Sequence, residues 1–154
     1  MPADLDAVHA ALADIGVDVD RAGPAAWRVE VPCTDRGSIT VGVAVAERTL
    51  RMQAFVMRAP DRRHEDVYRR LLQKNVDLRA TGPWRFGVDE HGDVFVAADM
   101  RLGAEAIADL DGVLGALAAL VDATWAGLVR TGFAFPEGDG AGRAPARPPG
   151  GRAS

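Results

Sequence analysis

The sequence predicts an α+β domain, an antiparallel sheet covered by helices in the order α-β-β-β-α-β-β-α. Three observations carry that reading. Apolar residues alternate with period two in consecutive runs. They recur with helical spacing in three other segments, and short polar links join the runs.

The first helix is expected over residues 3–15, where Leu5, Val8, Leu12 and Ile15 form one stripe and Gly16 ends it. Three strands follow. In "AWRVEV", Trp27, Val29 and Val31 alternate with Arg28 and Glu30. In "SITVGVAV", Ile39, Val41, Val43 and Val45 share a face, as Leu50, Met52, Ala54 and Val56 do in "TLRMQAFVM". Such alternation marks half-buried antiparallel strands, and the links 32–37 and 46–49 suit a meander of hairpins. The second helix is expected over roughly 61–76, with Asp61 as N-cap and Val67, Tyr68, Leu71 and Leu72 as its buried arc. Strands at 84–88 and 93–98 come next. A long helix over about 105–130 then carries Ile107, Leu110, Leu114, Leu117, Val121, Trp125 and Leu128 along one face.

Composition narrows the function. At 154 residues and 48% hydrophobic, the chain can bury one core, so residues 1–135 are read as a single domain. Residues 136–154, "PEGDGAGRAPARPPGGRAS", hold no large apolar residue to offset the entropy of ordering and are read as a disordered tail. The G-D-G-A-G run within it lacks the flanking strand and helix of a phosphate loop. A net charge of −4 argues mildly against a nucleic-acid partner, so a nucleic-acid-associated regulator using the basic arc of the second helix and the Arg-containing tail is the weakest alternative. No uninterrupted apolar run of about 18 residues is present, so no membrane span is expected, and the N-terminus lacks the pattern of a secretory signal. Cys33 is the only cysteine, which excludes an intrachain disulfide and a multi-thiolate zinc site and points to a reducing, cytoplasmic setting. It also lacks a helix N-terminus or neighbouring cation to activate a thiolate.

The densest group of acids and histidine is Asp89, Glu90, His91 and Asp93 in "VDEHGDVFVAADM". It sits between two alternating runs and contains Gly92, the pattern of a hairpin turn. A ligand- or metal-binding or enzymatic role is the competing reading, although the spacing matches neither an EF-hand loop nor a zinc-protease motif. His9 and His64 lie beside helical apolar stripes and nothing in the sequence joins them to His91. No catalytic residue, cofactor or metal ligand set is predicted.

Two surfaces are candidates for protein binding. Arg62, Arg63, Arg69, Arg70 and Lys74 crowd one arc of the second helix, either as a solvated face or as a dock for an acidic partner or a second copy. The second face of the sheet is expected to carry Thr40, Gly42, Ala44, Phe55, Met57, Gly87, Phe95 and Ala97. That face is either covered by a loop or by the long helix, or open to a protein segment. Phe55, Met57, Phe95, Arg63, Arg70 and Lys74 are therefore the candidate protein-binding residues.

Residues 65–133 also resemble the YbjN-domain proteins of bacteria. The likeness rests on a helix ending in L-L-x-x-N (Leu71, Leu72, Asn75), a short aromatic strand and the D-x-x-G-D hairpin of Asp89, Gly92 and Asp93. A second strand and a long closing helix complete it. The resemblance implies a fold similar to class I type III secretion chaperones: small dimers whose curved sheet and helices bind client protein segments. It implies a non-enzymatic, chaperone-like or adaptor protein with a possible part in regulation, and a homodimer. It carries no catalytic residues with it.

Overall fold

The structure, a computed structural model, describes residues 2–15, 18–80 and 82–133. The tail expected over 136–154, the G-D-G-A-G run and the expected helix stop at Gly16 lie outside the described residues.

Six strands form one antiparallel sheet: β1 (Val19–Gly23), β2 (Ala26–Cys33), β3 (Gly37–Ala46), β4 (Thr49–Met57), β5 (Arg85–Val88) and β6 (Val94–Arg101). Their order across the sheet is β1-β2-β3-β4-β6-β5. The first four form a meander. Helix α2 (His64–Leu78) then carries the chain across, so that β6 pairs with β4 and β5 takes the far edge. Helices α1 (Pro2–Asp14), α3 (Ala104–Ala108) and α4 (Leu110–Gly132) complete the order.

The α+β class and the five expected strands are present, with two additions. β1 is an extra edge strand. The long helix is divided at Asp109, whose backbone (φ −94°, ψ 4°) leaves helical geometry between α3 and α4. α2 also starts later than expected. Arg63, in the left-handed region at φ 54°, precedes it, and Asp61 instead pairs with Arg58 at 2.8 and 3.0 Å.

The helices all pack on one sheet face, because the alternating apolar residues of the strands point there. Val41, Ala54, Val96 and Phe86 lie in one row across β3, β4, β6 and β5, and all are buried. Val8 and Leu12 of α1, Val67 and Leu71 of α2, and Leu114, Leu117 and Val121 of α4 close over that face. By length and composition α4 could cross a membrane, with mean hydropathy 1.7 over its apolar stretch, although charged and polar residues interrupt it. Here Leu110, Leu114, Leu117, Val121 and Leu128 are spent on the core, the role of a buried amphipathic helix.

Side-chain hydrogen bonds fix the elements to one another. Asn75 of α2 donates to the Phe86 carbonyl at 3.0 Å and accepts from its N–H at 2.7 Å, tying the helix to edge strand β5. Asp122 of α4 accepts from the N–H groups of Thr34, Asp35 and Arg36 at 2.9, 3.0 and 3.1 Å. A single helical carboxylate thus holds the whole β2–β3 turn. At the end of α4 the Gly132 carbonyl accepts from Asp61 and Arg62. A Cβ at Gly132 would sit 3.0 Å from Pro60 and 3.2 Å from Val67, so the close approach depends on glycine.

Candidate functional site: the open sheet face

The face away from the helices is uncovered among the described residues. Its rows follow from the register: Arg28, Gly42, Gln53, Ala97 and Arg85 form one, and Ala26, Ala44, Arg51 and Asp99 another. Glycine and alanine at its centre leave a hollow of about 440 Å³ bordered by Gly42, Ala44, Gln53, Phe55 and Phe95. Phe55 and Phe95 face each other across β4 and β6 and meet edge to face, with centroids 5.6 Å apart at 75°. Phe55 is 40% exposed, which is unusual for so large an apolar ring on a central strand.

Polar groups bound the hollow. At one side Glu30 accepts from Ser38 and Thr40. At the other Arg51 grips Asp99 through two hydrogen bonds at 2.8 and 3.2 Å, and Arg85 stands 3.8 Å away. The Arg51 hydrogen bond, then the charges of Arg51 and Arg85, hold the Asp99 carboxyl below its ordinary range. Its contribution is therefore present above the ordinary carboxylate range and is lost as pH falls through the depressed value. Solvent screening keeps that contribution small.

The expected site residues divide. Phe55 and Phe95 lie where the alternation placed them. Met57 does not: it is 3% exposed and pairs with Val94. A β-bulge between Phe55 and Met57 shifts the register, so that Val56 and Met57 both turn into the core. Arg63, Arg70 and Lys74 belong to the helical layer, apart from the aromatic pair. Arg63 is in an ion pair with Asp66 at 3.3 Å, Arg70 is exposed and Lys74 half-buried. Leu72, expected in the buried arc of α2, is 67% exposed, as is its neighbour one turn on, Val76, at 68%.

The 89–93 segment is a tight turn. Asp89 Oδ1 accepts from the N–H groups of His91 and Asp93 at 2.9 and 3.0 Å, and Asp93 Oδ1 accepts from Ala59 at 2.7 Å. Gly92 adopts φ 84°, where a Cβ would press on Tyr68 and Ala59. Two carboxylates are thereby occupied by backbone, while Glu90 and His91 project into solvent. No cluster of three or more metal-ligating side chains occurs among the described residues. His9 accepts from the indole N–H of Trp27 at 3.1 Å, and His64 sits against Tyr68. Burial, then the nearby Asp122 charge, push the Cys33 thiol up despite the opposing Arg36, so it stays protonated at neutral pH.

A second concavity escaped the sequence reading. A groove of about 420 Å³ runs between the end of β4 and α4, with Phe55 at one end, Phe133 at the other and Trp125 and Val129 along its wall. Periodicity assigned Trp125 to the core, yet it is only partly buried. The available signal was the i, i+4 pairing of Trp125 with Val129 at the border of the α4 stripe.

Comparison with known proteins agrees with this architecture. A chain of the heterodimeric ExoU–SpcU complex from the type III secretion system of Pseudomonas aeruginosa superposes with a TM-score of 0.56 at 18% identity. The match covers 77% of this chain and 94% of that one. A chain of the ExsC–ExsE complex gives 0.50 at 18% identity, covering 79% and 95%. Uncharacterized proteins of Mycobacterium tuberculosis and Mycobacterium bovis are 36% identical over 110 residues, which is 71% of this chain and 58% of theirs. One of Mycobacterium leprae is 31% identical over 105 residues, 68% of this chain and 55% of its own. The chain thus spans little more than half the length of these relatives. Residues 4–126 match the YbjN family, described as "Putative bacterial sensory transduction regulator", and the chain belongs to that family.

Proposed function

We propose that the chain is a non-enzymatic, chaperone-like or adaptor module that binds an extended segment of a partner protein on its open sheet face. The observation that carries this reading is the exposed Phe55–Phe95 pair beside a hollow floored by glycine and alanine. Small residues let a backbone approach closely, and the two rings supply an apolar anchor of the kind that dominates binding energies. Both solved structures of the same fold hold two different proteins, which fits the reading. The family's description suits a regulatory use, and the single half-buried thiol suits the cytoplasm. The exposed arginines and Lys74 of α2 would add attraction for an acidic partner.

Peptides selected from a random display library against the full chain, then measured by fluorescence anisotropy, test the proposal. Phe55→Asp together with Phe95→Asp is expected to weaken the selected peptides at least tenfold while circular dichroism stays unchanged. Equal affinity in the double variant would sink it. A homodimer belongs to the same proposal. Leu72 and Val76 stand one turn apart on α2 and supply an apolar seam for a second copy. Sedimentation at micromolar concentration is expected to show a dimer that Leu72→Asp converts to monomer. A strict monomer before substitution would refute it.

A further inference from the structure

The hollow over Gly42 and Ala44 does not stop at the aromatic pair. A second hollow of about 290 Å³ lies beside it over Arg85, Gly87 and Ala97, and Gln53 and Phe95 border both. Together they form a trough along one register row, Arg28, Gly42, Gln53, Ala97 and Arg85, which crosses the strands from β2 to β5. Phe55 and Phe95 stand in the neighbouring row, and Gln53 is exposed at the middle of the trough.

Cations mark this trough. Arg28 and Arg51 border the larger hollow and no acid does. Arg28, at one end, is exposed and makes no ion pair among the described residues. Arg51 gives Asp99 its Nε and Nη2 donors, which leaves Nη1 to face a ligand. Arg85, at the other end, reaches Asp99 only at 3.8 Å, beyond hydrogen-bond length. The nearby acids are engaged or stand at the margin. Glu30 accepts from Ser38 and Thr40, Asp99 is shared by two arginines, and Asp89 accepts from the N–H groups of His91 and Asp93. Asp20 lies opposite Arg28 on the edge strand, outside the hollow.

An extended peptide fits these dimensions. Four inter-strand spacings separate β2 from β5, about 19 Å. An extended chain covers that span in about six residues, and residues an even number apart face the same side. Carboxylates at the two ends of such a stretch meet Arg28 and Arg85. Same-side residues between them lie over the Gly42 hollow and against the rings. Single-stranded nucleic acid also pairs arginine with exposed rings, but it stacks bases on open ring faces. Here the edge of one phenylalanine covers the face of the other, and a net charge of −4 disfavours a polyanion.

We propose that the partner segment held on the open face is acidic and crosses the strands in extended form. Its carboxylates, about six residues apart, lie on Arg28 and Arg85, and its intervening apolar side chains lie on the phenylalanine pair. The inference rests on binding at the sheet face and names the chemistry of what is bound there.

Fluorescence anisotropy with designed peptides and the full chain tests it. The probe carries two aspartates at that spacing, with leucines at the intervening positions that face the same way. A control replaces both aspartates with lysine. The probe is expected to bind and the control not to, and Arg28→Glu or Arg85→Glu is expected to weaken the probe about tenfold. A peptide with one aspartate and one lysine is expected to bind the Arg28→Glu variant more tightly than the unsubstituted chain, a rescue that misfolding could not give. Equal binding of probe and control, with both lost in the Phe55→Ser, Phe95→Ser double variant, would overturn the acidic segment and leave sheet-face binding standing. Probe binding that survives the double variant would overturn both. An oligouridylate that binds more tightly than the probe and is lost in Arg28→Glu would give the trough to nucleic acid and overturn the proposal. So would a dimer that Arg28→Glu dissociates, since a second copy would then fill the trough.

Discussion

Replacing Trp27 with alanine is expected to destabilise the fold by about 3–5 kcal/mol, the cost of removing a large buried ring without full collapse of the space. Trp27 is 1% exposed in the second strand, opposite Val43, and is among the largest fully buried side chains. Its indole N–H donates to His9 on the first helix, and Arg21 of the edge strand lies 5.9 Å from its ring centroid. One side chain therefore joins α1, β1 and the sheet. Stabilities of domains this size are typically about 5–15 kcal/mol, so the loss takes a large part of the total. Urea denaturation measures it. Trp27→Phe retains most of the packing and gives up the hydrogen bond, and is expected to cost about 1–2 kcal/mol. Equal losses for both variants would contradict the assignment of the effect to volume.

Asp122→Ala is the second large effect, expected at about 2 kcal/mol from the loss of three hydrogen bonds to an ionised acceptor that is partly open to solvent. The three N–H groups of Thr34, Asp35 and Arg36 would turn to water, and the β2–β3 turn would be freed from α4. Asp122→Asn keeps an acceptor oxygen only on one side and is expected to lose about half as much. Hydrogen exchange at residues 34–36 locates the effect: those amides are expected to lose protection selectively. Unchanged exchange there would show that the carboxylate does not hold the turn.

The sheet and its covering helices were legible because the core-facing residues obey simple periods. Trp27, Val29 and Val31, or Leu50, Met52 and Ala54, alternate without interruption and are all buried. What escaped did so for identifiable reasons. β1, "VDRAG", has one large apolar residue because it is an exposed edge strand, so no alternation marks it. The division at Asp109 hides between Ile107 and Leu110, whose spacing continues a helical stripe. Met57 was misplaced because period two assumes an unbroken register, and the bulge after Phe55 breaks it. Leu72 follows Leu71 by about 100° around the helix, far enough to pass from the core into solvent. The hairpin at 89–93 went the other way. Its carboxylates suggested chemistry, and the backbone they hold explains them.

The candidate site was only partly legible. Phe55 and Phe95 could be placed on the second face, whereas the openness of that face depends on where the helices pack. The groove beside Trp125 needed the tertiary structure, since its two walls are about 70 residues apart in the chain.

The account's central claim is that a partner's segment lies on the open sheet face, and amide chemical-shift mapping with a display-selected peptide tests it most directly. The account predicts perturbations clustered at Gly42, Gln53, Phe55, Phe95 and Ala97, all abolished by the Phe55→Asp, Phe95→Asp double variant. Perturbations confined to the second helix or to the 89–93 hairpin, with binding intact in that variant, would contradict it.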